Sequence, residues 1–482
     1  MPAFGARVAL GEVRRCLLGR ICYVRPMQPF RYHVLACDQR KPDGMPCCNG
    51  RNAAAVIETL RREIAIKGLI DQVQVTVTGS LGLCERGPNW VVYPDGTWYS
   101  NLTTADVSEI VSEHFEHDRP VARLMNTDAT AVKSEITNNR NRMMAALKAR
   151  DAAGVLPDDF NEMVRGYQPS RIVLSAIELD LFSAIATLQD KATAREIAQC
   201  TGCEARGIEV LLNALAALNL LSKAAGVYAN APLAKRYLVS GAPDDARQSL
   251  RHNLNLWTTW SALTERVKTG RSSAWQEMGS RGDDWTVPFI AAMHRNAASR
   301  APLVVEAVGT EGVRRLLDVG GGSGAYSIAF AQHSAALTAD VFDLASVVSI
   351  AGSHIAAAGL SDRVRTRIGD LREDEFGSDY DLVLLSAICH MLGSDENQGL
   401  LRRAFKALAP GGRVAIQDHV MQEDGTAPRA GALFAVNMLA GTPNGSTFSK
   451  QQYEQWLLAA GFKTVEHVPL PGPNDLVIGH KA

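Results

Sequence analysis

The chain lacks any apolar run close to the roughly 20 residues that a membrane-spanning helix requires. It also lacks an excess of charge of either sign, because 50 basic residues face 51 acidic ones and the net charge is −1. Proteins that bind nucleic acid or anionic membranes use a surplus of positive charge. We therefore expect neither a nucleic-acid nor a membrane partner.

Cysteine is present but does not form the pattern of a secreted disulfide framework. Nine cysteines, an odd number, are scattered over 482 residues, which fits a reducing, cytoplasmic compartment better. With 46% hydrophobic residues the chain can bury real cores, and its length predicts about three domains. Cys200 and Cys203 form a C-x-x-C pair, but no second pair follows at zinc-ligand spacing. A tight corner between two helices is the favoured interpretation.

The most informative segment is LLDVGGGSG, at residues 316–324. Two apolar residues and Asp318 end a strand, and the glycines that follow let the backbone turn tightly and contact a ligand, because no Cβ intervenes. Gly320-x-Gly322-x-x-Ala325 also fits the dinucleotide fingerprint, so the loop predicts either NAD or S-adenosylmethionine (SAM). Asp343 ends the next strand, and its carboxylate suits the ribose hydroxyls of either cofactor.

Strand-like and helix-like segments continue to alternate after Asp343. Asp370 ends a third strand, and residues 380–386 form a fourth strand that leads to His390. This alternation predicts a doubly wound parallel α/β sheet that binds its ligand at the carboxyl ends of the strands. No tyrosine and lysine pair suited to hydride transfer is evident near the glycine loop, so NAD-dependent oxidoreduction is disfavoured.

Residues from about 165 to 482 resemble the plant-type family of small-molecule O-methyltransferases, whose bacterial members act on polyketides, carotenoids and bacteriochlorophylls. The matching segments are LDVGGGSG (317–324), FDL (342–344), GDL (369–371), ICH (388–390), PGGRV (410–414) and NML (437–439). The resemblance implies a Rossmann-like domain in which Gly320 and Asp343 hold the methionine and ribose parts of SAM, with Asp370 beside the adenine. The expected cofactor contacts are Asp318, Gly320, Gly322, Asp343, Leu344, Asp370, Leu371 and Ser386.

The same resemblance makes His390 the general base. A neutral imidazole can take a phenolic proton at pH 7, while SAM supplies a methyl group that is already activated. In the family two acidic residues support this histidine, and Asp418 matches the first. The second is missing, because the chain reads PNGST at residues 443–447, and Met391 follows the histidine where the family has Asp or Asn. Methylation of oxygen is favoured over methylation of carbon or a loss of methyl transfer.

The acceptor is expected to be a small, flat or hydrophobic molecule. Its pocket should be formed by the helix at residues 437–439 together with Trp257, Trp260, Met293 and His294, which are mostly apolar or aromatic.

Residues 161–255 show the pattern of a winged helix, with two helices, a turn and a hairpin. A DNA-reading helix would need positive charge, but Arg206 is offset by Glu204 and Glu209. The methyltransferase family uses the same module to form dimers, so the resemblance implies a homodimer.

Residues from Tyr32 to about Phe115 resemble a thioredoxin-like [2Fe-2S] ferredoxin, through the cysteine positions and the segment GSLGLCERGP (79–88). That family binds its cluster through four cysteines. Here Cys37, Cys48 and Cys84 are in register, while Ser80 occupies the third ligand position. Serine is far harder to deprotonate than a thiol, so both a weakened cluster and an empty scaffold remain open. Methyl transfer from SAM consumes no electrons, so a retained cluster would be structural or regulatory, or would serve a redox partner.

The sequence therefore predicts five segments. They are a disordered tail (1–30), a ferredoxin-type domain (31–118), a helical connector (119–160), a dimerisation domain (161–255) and a methyltransferase domain (256–482). The predicted function is methyl transfer from SAM to a hydroxyl group. The alternative is an electron-transfer or regulatory iron-sulfur protein whose methyltransferase-like domain only binds a ligand.

Overall fold

A computed structural model describes residues 14–15, 21–22, 29–41, 45–270 and 281–482. The chain divides into two compact units, Met1–Arg165 and Gly166–Ala482, and each is considered by itself. The predicted tail at residues 1–30 lies almost wholly outside the described residues. Within the described part of the chain, no single helix is both long enough and apolar enough to cross a membrane.

The first unit contains a four-stranded mixed sheet. Its strands are β1 (Tyr32–Cys37), β2 (Val73–Thr78), β3 (Trp90–Tyr93) and β4 (Thr97–Tyr99), in the order β2-β1-β3-β4. Helix α1 (Ala53–Ile66) connects the parallel strands β1 and β2, while β3 and β4 are antiparallel to their neighbours. Val56, Leu60 and Ile64 are buried on α1 at helical spacing, which explains why this segment folds as a helix against the sheet.

Helices complete the first unit. They are α2 (Val107–Glu109), which continues as a π-helical segment (Ile110–Glu116), α3 (Ala129–Ala152) and α4 (Asp158–Arg165). The stretch predicted as a connector is thus helical, and α3 also contacts the loop that carries Ser80 and Cys84. Asn139 donates from Nδ2 to the carbonyl oxygen of Gly82 at 2.6 Å, and a Cβ at Gly82 would lie 2.9 Å from Ile136.

The second unit begins with helices and one hairpin. These are α5 (Tyr167–Glu178), α6 (Leu181–Leu188), α7 (Ala194–Thr201), α8 (Ala205–Ala217), the hairpin β5 (Leu221–Ala224) and β6 (Val227–Asn230), α9 (Pro232–Tyr237), α10 (Arg247–Ser261) and α11 (Leu263–Thr269). Gly202 ends α7 with φ +67°. The segment from Cys200 to Cys203 therefore turns the corner into α8, as the sequence predicts.

A seven-stranded sheet forms the rest of the second unit, in the order β9-β8-β7-β10-β11-β15-β14. The strands are β7 (Arg315–Val319), β8 (Thr338–Asp343), β9 (Val364–Ile368), β10 (Tyr380–Ser386), β11 (Leu408–Asp418), β14 (Thr464–Val468) and β15 (Asp475–His480), with a short pair β12 (Val420–Met421) and β13 (Phe448–Ser449). The first five strands of that order are parallel, and β15 is antiparallel to both of its neighbours. This arrangement confirms the predicted α/β fold.

Helices cover both faces of this sheet. They are α12 (Asp283–Val308), α13 (Ala325–His333), α14 (Ala345–Ala357), α15 (Ser394–Ala407), α16 (Arg429–Gly441) and α17 (Lys450–Ala460). Along β10, Leu382 and Leu384 join one apolar core, whereas Val383 and Leu385 join the other. Both faces of the strand are therefore buried, which accounts for its nearly continuous apolar sequence.

Candidate functional site

The glycine loop after β7 takes a backbone conformation that side chains oppose. Gly320, Gly322 and Gly324 have φ values of +66°, +57° and +75°. A Cβ at Gly320 would lie 2.3 Å from Cδ1 of Ile388, so this position accepts only glycine. Because no side chain intervenes, a ligand can approach the backbone of this loop closely at the carboxyl edge of the sheet.

Asp343 ties the end of β8 to this loop. Its carboxylate accepts hydrogen bonds from the backbone N–H of Gly322 at 2.8 Å and of Leu344 at 2.7 Å. Burial raises the pKa of Asp343 to about 6, and the nearby charge of Asp370 adds to the effect. The carboxylate of Asp343 therefore holds Gly322 and Leu344, two predicted cofactor contacts, in fixed positions.

Asp318 lies beneath the loop, with only 1% of its surface exposed. It accepts a hydrogen bond from Ser327 Oγ at 2.8 Å, while its second oxygen has no partner among the described residues. Burial raises the pKa of Asp318 to about 7, with a smaller contribution from Asp343. A Cβ at Gly321 would approach the Asp318 carboxyl carbon to 2.8 Å, so this carboxyl supports the loop from behind.

The remaining predicted cofactor residues lie along the same edge of the sheet. Asp370 accepts a hydrogen bond from the backbone N–H of Arg372 at 2.8 Å. The Leu371 side chain lies 3.5 Å from the position that a Cβ at Gly320 would take. Ser386, at the end of β10, donates from Oγ to Oε1 of Gln417 at 2.6 Å. The structure thus places these residues at the carboxyl edge of the same sheet.

His390 and Asp418 form a buried pair at the ends of β10 and β11. Nδ1 of His390 lies 2.7 Å from Oδ1 of Asp418, and the backbone N–H of His390 donates to Oδ2 at 3.1 Å. The side chain of Asp418 is fully buried and that of His390 is 8% exposed. Because the carboxylate fixes Nδ1 as the protonated nitrogen, Nε2 carries the lone pair that can accept a proton.

The segment that replaces the second carboxylate packs directly on His390. The backbone N–H of Ser446 donates to the carbonyl oxygen of His390 at 2.9 Å. A Cβ at Gly445 would lie 2.4 Å from that same oxygen, so no side chain fits there. His390 is therefore held through its backbone by this segment.

Helix α16 brings a phenyl ring to His390. The Phe434 ring centroid lies 4.7 Å from that of His390 and 4.5 Å from that of His419. Trp260, on α10, donates from Nε1 to Oδ1 of Asn437 on α16 at 2.8 Å. Two of the predicted pocket elements therefore contact each other beside His390.

His294 contacts the glycine loop. Its Nδ1 lies 2.8 Å from Oγ of Ser323, and its ring stacks on His354 with centroids 4.0 Å apart. Burial lowers the pKa of both histidines. The residue predicted for the acceptor pocket is therefore also a neighbour of the cofactor loop.

The four predicted iron ligands come together only in pairs. A hydrogen bond from Cys48 lowers the pKa of Cys37, and Ser80 Oγ lies 3.4 Å from Cys84 Sγ. Lys41 also donates to Cys84 Sγ at 3.0 Å. Among the described residues, no group of three or more His, Cys, Asp or Glu side chains is placed to hold a metal ion. The described residues therefore give no support for a [2Fe-2S] cluster, and no role is assigned to one.

Sequence reasoning missed Phe434 and His419. The helical period in residues 429–441 predicts that one face of α16 is apolar, but it does not identify Phe434 as the residue that reaches the base. His419 directly follows the predicted Asp418, and that adjacency is the one signal that could have found it.

Two family models match the second unit and the end of the first. The O-methyltransferase dimerisation domain matches residues 161–240, and the O-methyltransferase domain matches residues 260–463. A 3-hydroxy-5-methyl-1-naphthoate 3-O-methyltransferase from Streptomyces sahachiroi is 34% identical over 337 residues, which cover 68% of this chain and 96% of that protein.

Two solved structures have a fold similar to that of this chain. An O-methyltransferase family protein from Burkholderia thailandensis is 26% identical with a TM-score of 0.62, covering 67% of this chain and 97% of its own. PigF, solved with S-adenosylhomocysteine (SAH), is 25% identical with a TM-score of 0.62, and the match covers 68% of this chain and 100% of PigF. The chain therefore belongs to the SAM-dependent O-methyltransferase family.

Proposed function

We propose that the chain transfers the methyl group of SAM to a hydroxyl group of a small aromatic acceptor, with His390 as the general base. The observation that carries this proposal is the buried pair of His390 and Asp418 at the same sheet edge as the glycine loop. Parallel strands of this fold bind their ligands at that edge.

The residues present fit SAM. Gly320, Gly322 and Gly324 leave a cradle that a Cβ would fill, and the carboxylate of Asp343 lies beside it with lone pairs available for ribose hydroxyls. When bound, SAM would supply a methyl group already activated by its sulfonium sulfur. The chain's own task is then to align an acceptor oxygen and remove its proton.

His390 can perform the proton transfer. Nε2 can accept the proton of the acceptor hydroxyl, and the imidazolium that results is paired with Asp418, whose Oδ1 lies 2.7 Å from Nδ1. Asp418 keeps Nδ1 protonated throughout, so Nε2 is the basic nitrogen at every turnover. Because residues 443–447 contain no carboxylate, Asp418 is the acidic residue that orients the ring.

The surroundings of the base favour an aromatic acceptor. The Phe434 ring contacts the His390 ring edge to face at an interplanar angle of 84°. Trp260 on α10 donates a hydrogen bond to Asn437, which is on the same helix as Phe434. Aromatic and apolar surfaces of this kind bind flat molecules through stacking and burial of apolar area.

We also infer that two copies of the chain associate. Helix α4 buries none of its residues, and its apolar side chains Phe160, Met163 and Val164 are 47%, 72% and 58% exposed. Apolar surface of this extent on one helix needs a partner. Part of this helix falls within the matched dimerisation domain, so a second copy is the expected partner.

The experiment that tests the function replaces the base. His390→Ala should lower kcat by roughly 10²- to 10⁴-fold while the Kd for SAH stays close to that of the wild type, because a general base acts on the transition state. His333→Ala is the matched control, since His333 is an exposed histidine at the end of α13. Methyl transfer from labelled SAM to 2-naphthol measures the rate. A near-native rate for His390→Ala would exclude the base assignment.

A further inference from the structure

Asn397 is a fully buried amide close to the turn that carries His390. It lies near the start of α15, and none of its surface is exposed. Asparagine is seldom buried completely, and it is a poor residue for the interior of a helix. An amide that is removed from water costs free energy unless other hydrogen bonds replace those to water. A side chain at this position therefore needs specific hydrogen-bond partners.

The partners of Asn397 are two carbonyl groups of the base turn, which comprises residues 389–392. Nδ2 of Asn397 donates to the carbonyl oxygen of Cys389 at 2.9 Å and to that of Leu392 at 3.3 Å. These two carbonyls lie on either side of His390 in the chain. A carbonyl oxygen only accepts hydrogen bonds, so the NH2 group is the part of the amide that can face both. An apolar side chain at this position would remove the donor from both carbonyls.

The chain enters the base turn through a strained residue. Ala387 has φ +58°, in the left-handed region that residues with a Cβ avoid. Such a conformation costs free energy and persists only where the surrounding structure imposes it. The backbone N–H of Ala387 donates to the carbonyl oxygen of Gln417 at 2.9 Å, while Asn397 holds the other end of the turn. Without Asn397, a movement of the base turn could release this strain.

The other contacts that hold His390 come from two different segments. Its backbone N–H donates to Asp418, and its carbonyl oxygen accepts a hydrogen bond from the N–H of Ser446. Its Nδ1 lies 2.7 Å from Oδ1 of Asp418. These contacts hold His390 itself, whereas Asn397 holds the residues on both sides of it. The direction of Nε2 therefore depends on α15 as well as on β11 and residues 443–447.

We propose that Asn397 is a positioning residue, which directs Nε2 of His390 toward the acceptor by holding the two carbonyls of the base turn. The inference rests on the proposed function, since Asn397 acts only through His390. A general base works only within hydrogen-bond reach of the proton that it removes, and a small misplacement lowers the rate steeply. Loss of the amide therefore slows the chemical step and leaves the binding of cofactor and acceptor nearly unchanged.

Asn397→Leu tests this role, because leucine has a similar volume and no hydrogen-bond donor. The rate of methyl transfer from labelled SAM to 2-naphthol is measured per SAH-binding site, so that misfolded protein does not count. We expect kcat to fall about 10- to 100-fold, while KM for 2-naphthol and Kd for SAH stay within about threefold.

Phe405→Ala is the matched control. It removes a partly buried ring, packed against Phe462, about two turns further along the same helix. This variant weakens the packing of α15 without touching the base turn. Its kcat per SAH-binding site should stay within about twofold of the wild type.

The double variant His390→Ala/Asn397→Leu separates positioning from a merely structural effect. If Asn397 acts through His390, the double variant has the rate of His390→Ala, because the base that the amide would position is already absent. A rate that falls again by the factor seen in Asn397→Leu would overturn the proposal, and so would a near-native kcat in Asn397→Leu. A near-native rate in His390→Ala alone would instead exclude the proposed base.

A second measurement needs no acceptor. The Nδ1–H proton of His390, hydrogen-bonded to Asp418, should give a downfield imidazole proton resonance that is identified by its absence in His390→Ala. We expect this resonance to shift or broaden in Asn397→Leu and to keep its position in Phe405→Ala. An unchanged resonance in Asn397→Leu would show that the ring is held without the amide, which would overturn the proposal.

Discussion

The α-carbon of Gly445 packs against the carbonyl oxygen of His390 so closely that a Cβ would lie 2.4 Å from that oxygen. The two residues are far apart in the sequence, and their contact joins the segment after α16 to the turn that carries the base. A side chain at Gly445 would displace the backbone of His390.

We expect Gly445→Ala to lower kcat about tenfold or more, because the new methyl group must push the backbone of His390 away from Asp418. The Kd for SAH should change little, since the glycine loop is not involved. Gly441→Ala is the matched control, because a Cβ there meets no atom within 4 Å. Steady-state kinetics of both variants measure the effect, and equal rates would contradict it.

Asp343→Ala should weaken SAH binding by about 1 to 2 kcal/mol, since ribose hydroxyls would lose their acceptor in a buried site. It also releases the N–H groups of Gly322 and Leu344. Asp362→Ala, at an exposed position in the same domain, is the control. Calorimetry decides the question, and an unchanged Kd would place the cofactor elsewhere.

Asp318→Asn tests the buried carboxyl beneath the loop. Burial raises the pKa of Asp318 to about 7, so the folded protein binds this proton more tightly than the unfolded chain does. The stabilising contribution of the protonated carboxyl is complete below about pH 4 and is lost as the pH rises through about 7.

Asparagine stays neutral and can still accept the hydrogen bond from Ser327. We therefore expect the stability advantage of Asp318→Asn, without cofactor, to be about 2 kcal/mol larger at pH 8 than at pH 5. Urea unfolding at the two pH values measures the difference. An advantage that does not depend on pH would show that Asp318 is already charged in the folded state at pH 5.

Ser80→Cys addresses the altered position in the first unit. Ser80 lies 3.4 Å from Cys84, and a thiolate is a softer and more readily ionised ligand than a serine alkoxide. We expect this variant to retain more iron and sulfide than the wild type after anaerobic reconstitution. Ser108→Cys adds a thiol at an exposed position and serves as the control. Iron analysis and visible absorption compare the three proteins, and equal iron in all of them would show that the position is not a ligand.

The sequence predicts those parts of the site whose interacting residues lie close together in the chain. Gly320 and Asp343 are predictable because a glycine loop and the residue that ends the next strand act within one local unit of the fold. The pairing of His390 with Asp418 is expected from the resemblance, and the structure brings the two together.

The contacts of Gly445 and Phe434 could not be predicted in the same way. Each contact depends on how α16 packs over the carboxyl edge of the sheet. No local pattern in residues 429–447 predicts how far these two residues lie from His390. The iron site stays a prediction without support, because register alone placed its four ligands and, in the described part of the chain, no three His, Cys, Asp or Glu side chains are placed to hold a metal ion.

The contact between α3 and the loop of Ser80 and Cys84 determines where an expression fragment of the first unit can end. Asn139 holds the Gly82 carbonyl at 2.6 Å, and Glu135 forms an ion pair with Arg86 at 2.5 Å. A fragment that ends at residue 118 would lack both partners and would leave the Ile136 side of Gly82 open to water. An expression fragment for the front domain should therefore run through the end of α3, at Ala152, if the loop is to keep its native conformation.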